Sequence, residues 1–134
     1  MSMDANTRAI VAAAAFAYVA GQKVGGIYDH STGRDLRIAA ELQGDRLQGF
    51  DGDRAVKFGG TIPELHVAGN KGLVSFEIDG PTVKGYDRSS SNFFEATVTN
   101  GVVQLYDHGQ SAWFAYDVQD PSSKSSYHRD LARH

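Results

Sequence analysis

The chain has 134 residues, with 13 Lys and Arg against 16 Asp and Glu, a formal charge of -3 and no cysteine. That length suits one domain whose core needs no staple, and the missing cysteines exclude a disulfide framework or a thiolate metal site. Basic residues are scattered from Arg8 to Arg133, so no cationic stripe exists for a nucleic acid.

The first element is an uncharged apolar run of 12 residues, Ala9 to Ala20. A membrane-spanning helix needs about 20 such residues, so no membrane span is expected. Two readings compete. In the first, residues 1–22 hold an Ala-rich helix, capped by Asp4 or Asn6 and stopped by Gly21. Such a helix is apolar all round and must be covered on most sides. It is expected to pack on the sheet of its own domain, as cover or plug, or on another subunit. In the second, residues 1–17 are a secretory leader with a small-x-small site at Ala15-Phe16-Ala17. The segment before the run holds one Asp and one Arg, Asp4 and Arg8, which is a poor positive region and favours the helix. The expected compartment is then the cytoplasm, or the periplasm or exterior under the leader reading.

From Lys23 to Gln119 the chain repeats. Tyr28-Asp29, Phe50-Asp51, Tyr86-Asp87 and Tyr106-Asp107 head four units, and Ala68-Gly69 heads a degenerate third one. The starts are 22, 18, 18 and 20 residues apart. Seven residues after each start stands an apolar residue: Leu36, Phe58, Phe76, Phe94 and Phe114. A fixed internal period decides architecture before local propensity does.

Each unit reads as strand, turn, strand. In the fourth, Asp87-Arg88-Ser89-Ser90 is a turn, because Asp and Ser capture nearby backbone N–H groups. Phe94, Ala96 and Val98 then alternate with Phe93, Glu95 and Thr97, the period of a strand. Asn100-Gly101 supplies a hairpin turn that needs positive φ twice. The other units turn at 29–33, 43–45, 51–53, 62–64, 69–72 and 79–81. Connections this short cannot make parallel crossovers. The expected fold is all-β with one N-terminal α-helix. It is an antiparallel meander of about ten short strands from five hairpin repeats, closed or nearly closed as a barrel, or split into two packed sheets. Residues 120–134 form a polar C-terminal tail.

Chemistry is sparsely marked. The recurrent Asp residues are expected to hold their turns, since every hairpin needs one. Asp51-Gly52-Asp53 resembles the opening of a calcium loop, but Ile62 stands where the closing Glu belongs. Gly109-Gln110-Ser111-Ala112-Trp113 lacks the final glycine of a nucleophile elbow. No cofactor, metal site or catalytic residue is assigned. The tripeptide Tyr-Asp-His occurs twice, at Tyr28-Asp29-His30 and Tyr106-Asp107-His108. If the sheet closes, the first and last hairpins become neighbours. Asp29, His30, Asp107 and His108 then form a paired patch for a ligand, a metal or acid-base chemistry. The other candidate is aromatic. Phe94, Phe114 and Tyr116 share one strand face, which leaves Phe93 and Trp113 on the opposite one. Exposed there, they would stack on a sugar or meet another subunit.

The preferred expectation is a non-enzymatic β-repeat domain that binds a protein partner or self-associates through Phe93 and Trp113. The alternative is a small barrel binding a ligand or metal at the paired Asp-His patch.

Overall fold

A computed structural model describes residues 5–61, 64–67, 74–88 and 90–119. Helix α1 (Ala5–Ala20) precedes eleven strands among the described residues. They are β1 (Gly26–Asp29), β2 (Arg34–Leu36), β3 (Ile38–Gln43), β4 (Arg46–Asp51), β5 (Val56–Thr61) and β6 (Glu64–Val67). β7 (Val74–Asp79), β8 (Thr82–Asp87), β9 (Asn92–Thr99), β10 (Val102–Asp107) and β11 (Ala112–Gln119) follow. From β3 to β11 each strand pairs antiparallel with the next, as the short turns require.

The ends of this meander meet. β1 pairs with β2 on one side and with β11 on the other, Tyr28 lying opposite both Asp35 and Asp117. β2 and β3 are one strand interrupted at Arg37, which is why eleven strands stand where about ten were expected. An exposed clamp holds the break. The Arg37 N–H and Nε donate to the Asp53 carboxylate at 3.0 and 2.9 Å, and Gly52 N–H donates to the Arg37 carbonyl at 2.7 Å. Beyond it, Val24 and Ala40 exchange backbone bonds of 2.8 and 3.0 Å. The sheet is a nearly closed barrel, which removes most of its unpaired edge.

The helix lies inside. Every residue from Thr7 to Tyr18 is buried, and the helix touches β1, β3, β4, β8, β9, β10 and β11. This explains the composition. A helix enclosed by a sheet has no polar side, so it shows no amphipathic stripe. Its fully covered alanines keep it thin, which leaves room for large inward side chains such as Phe94 and Tyr116. Each of those contributes ~1.5–3 kcal/mol by leaving water. Gly21 ends the helix at φ +67°, its N–H donating to the Ala17 carbonyl at 3.0 Å. Asn6 lies within the helix and not ahead of it, while Asp4 falls outside the described residues.

The repeat explains the inner wall. The residue before each aromatic-Asp pair lies opposite the apolar residue nine positions on. These pairs are Ile27 with Leu36, Gly49 with Phe58, Gly85 with Phe94 and Leu105 with Phe114. Where the first member is glycine, the phenyl ring lies across it. A Cβ on Gly85 would fall 2.2 Å from the Phe94 ring. The third unit's start lies outside the described residues, but its Phe76 faces the core, edge-on to Phe94 at 5.8 Å.

Candidate functional site

The four aspartates end their strands pointing inward, and all are buried. Each closes a turn as an acceptor. Asp29 takes Ser31 N–H at 2.9 Å, Asp51 takes Asp53 N–H at 3.1 Å, and Asp107 takes Gly109 N–H at 2.9 Å. Asp87 accepts the Ser90 hydroxyl at 2.8 Å. Four residues after each Asp the backbone turns left-handed, at Gly33, Ala55, Ser91 and Ser111. The Asp51-Gly52-Asp53 run thus belongs to a turn and a clamp.

Arg8 reaches this rim from the first turns of the helix. Its guanidinium donates to Asp107 at 3.2 Å and lies 3.7 Å over the Phe114 ring centroid. Burial pushes the neighbouring Tyr116 phenol up, and nearby Asp29 adds to this while Arg8 opposes it. Arg8, Asp107 and Tyr116 form a buried polar knot that pins the helix. Sequence reasoning missed it. The available signal was a lone arginine entering an uncharged helix beside a repeat of buried turn aspartates.

The two Asp-His pairs do not assemble into one patch. The first and last hairpins are indeed neighbours through β1 and β11. In each tripeptide, however, the Asp is buried whereas the His is exposed. His30 packs on Tyr28 and lies 3.2 Å from Asp117, while His108 packs edge-on against Tyr106. The hairpins are also staggered. His30 is level with Ala115 and so with Gln104, four residues short of His108. At ~3.3 Å per residue and ~4.8 Å per strand, the two backbones stand about 16 Å apart. Among the described residues no group of three or more His, Asp or Glu is placed to hold a metal.

The outer face is different. Phe93 and Trp113 are 62 and 63 % exposed, the two most exposed large apolar residues among those described. They belong to two adjacent rows fixed by register. One row runs Ser75, Tyr86, Phe93, His108 across β7, β8, β9 and the turn after β10. The next runs Glu77, Lys84, Glu95, Tyr106, Trp113. The rings brace one another. Tyr86 and Phe93 centroids are 4.7 Å apart, and Tyr106 and Trp113 centroids 5.1 Å. Between the rows over β7, β8 and β9 lies a cleft of about 630 Å³. Its walls include Tyr86, Phe93 and His108, and its polar edge is Glu77, Lys84 and Glu95. Lys84 lies opposite both Glu77 and Glu95; Glu77 and Lys84 are exposed and Glu95 is half-buried. A larger cleft of about 780 Å³ over β4, β5 and β6 holds Phe50 as its one exposed large apolar residue among those described.

No protein-family model matches this chain, and no curated protein or solved structure matches it significantly.

Proposed function

We propose that this protein is a non-enzymatic binding module whose working surface is the outer aromatic face of β8, β9, β10 and β11. The observation that carries this reading is the pair Phe93 and Trp113, more than half exposed and held by neighbouring rings. Exposing large rings costs hydrophobic free energy that folding does not recover, and anchors of this kind concentrate at recognition surfaces. The buried carboxylates of the inner rim already serve turns and Arg8.

The test is retention. Wild-type protein and the double variant Phe93→Ala, Trp113→Ala are immobilised and exposed to extract and culture medium of the source cells. The reading expects a species held by the wild type and lost from the variant. Equal retention by both would remove it. Sedimentation of the free proteins covers the remaining form of the reading. Self-association of the wild type that the double variant abolishes makes the same face a contact between copies.

A further inference from the structure

We infer that the outer aromatic face is a carbohydrate site that takes a neutral oligosaccharide laid obliquely from Phe93, at the edge of the cleft, across β10 to Trp113 on β11. The inference rests on the binding reading above and names its ligand class. It comes from the way apolar and charged groups alternate in the two rows. Phe93 and Trp113 are two strands apart across the sheet and one row apart along it. With strands ~4.8 Å apart and ~3.3 Å per residue, the two backbone positions stand about 12 Å apart. A short stretch of linked sugar rings spans that distance. Glu95 lies beside that span, on the strand of Phe93 and in the row of Trp113.

The chemistry selects among ligand classes. A pyranose has an apolar face of C–H groups that stacks on an aromatic ring, and a rim of hydroxyls that both donate and accept. The cleft and the ring beside it offer both halves. Tyr86 and Phe93 in the cleft and Trp113 on β11 outside it supply ring faces, while Glu77, Lys84, Glu95 and His108 supply hydrogen-bonding heads. An apolar protein patch pressed on this surface would bury Glu77, Lys84 and Glu95 without replacing their water, which is costly. Sugar hydroxyls satisfy them and remain partly wet. Two glutamates flank one lysine, which opposes a polyanion such as nucleic acid. The cleft volume also lies in the usual range for small-ligand sites, roughly 300–1,000 Å³.

The chain contains one tryptophan, so its emission reports on this surface alone. The full-length protein is titrated with three neutral tetrasaccharides, built from glucose, N-acetylglucosamine and mannose. At least one is expected to shift Trp113 emission saturably. Phe93→Ala, which keeps the reporter, is expected to weaken that binding by about tenfold or more. Glu95→Gln is expected to weaken it while leaving the circular dichroism unchanged. Lys57→Ala, over the β4, β5 and β6 cleft, is expected to bind as the wild type does. Two outcomes overturn the inference: no emission change with any of the three sugars into the millimolar range, or a change that Phe93→Ala leaves intact. If retention on beads still depends on Phe93 and Trp113 in that case, the face binds something other than neutral sugar and the broader reading stands. If retention is also unaffected, both fall.

Discussion

Tyr106, Asp107 and His108 are consecutive residues, and they live in two different molecules' worth of chemistry. Asp107 is fully buried, tied to Arg8 and to the turn it closes. Tyr106 and His108 stand outside with their rings in contact, next to Trp113. The inner wall and the outer wall of the same strands are thus separate regions. Inside, every position is constrained by an enclosed helix, by ring-over-glycine packing and by turn carboxylates. Outside, two of the largest side chains are held by their neighbours yet left open to solvent. Alternation along a strand lets one repeat carry both roles, because neighbouring residues never share a face.

That division can be broken first at the polar knot. Asp107→Ala leaves the Arg8 guanidinium buried against Phe114 without its carboxylate. A loss of about 3–5 kcal/mol is expected in urea unfolding. The double change Arg8→Met, Asp107→Asn should lose much less, since the buried charge goes with its partner. If the single and double variants are equally unstable, the knot is not what the aspartate contributes.

The ring-over-glycine packing is the next test. Gly85→Ala places a methyl group inside the Phe94 ring, and the wall must shift. The expected cost is about 1–3 kcal/mol, read as a lower thermal midpoint. Gly80→Ala meets no atom within 4 Å and probes only its left-handed backbone, at φ +61°. A smaller loss there than at Gly85 separates packing from conformation.

Tyr18 sharpens the comparison at the other end of the helix. Its hydroxyl is buried and has no hydrogen-bond partner among the described residues. Burial, aided by Asp45, pushes the phenol up from 10.0 to about 12. The unfolded chain therefore releases this proton first. The stability tied to it is complete below pH 10 and disappears as pH rises through about 12. Tyr18→Phe should raise stability by about 1 kcal/mol at neutral pH, by removing an unsatisfied hydroxyl. It should also flatten the loss between those pH values, leaving only the share due to Tyr116. An unchanged alkaline profile would show that Tyr18 finds a partner in solution.

The smallest effect on stability is expected where the largest effect on binding is proposed. Phe93→Ala and Trp113→Ala should each lower unfolding free energy by no more than about 1 kcal/mol, the worth of one cross-strand aromatic pair at an exposed position. A loss of several times that amount would assign these rings to the scaffold and not to a recognition surface.

Much of the scaffold was readable in one dimension. The strand period, Asn100-Gly101 and the aromatic-Asp turns follow from what those side chains do to their own backbone. Asn100 and Gly101 do take positive φ, at 50° and 81°. The inward set headed by Phe94 and Tyr116 follows from alternation alone, as does the exposure of Phe93 and Trp113. The two Asp-His pairs stay apart for two physical reasons. Alternation sends the Asp and the His to opposite faces, and the stagger between hairpins keeps the two histidines apart. The first reason was available in the sequence, whereas the second required the register.

What the chain determines by itself is local: where it turns, which residues alternate, and that an uncharged Ala-rich segment needs cover on most sides. Those are consequences of backbone hydrogen bonding and side-chain spacing over a few residues. Only the tertiary structure decided that the cover is the barrel interior, that β2 and β3 break at Arg37, and that Arg8 meets Asp107 across 99 positions. Closure of a sheet depends on accumulated twist and stagger over all its strands. No single turn carries that information, so it emerges only when the first strand finds the last.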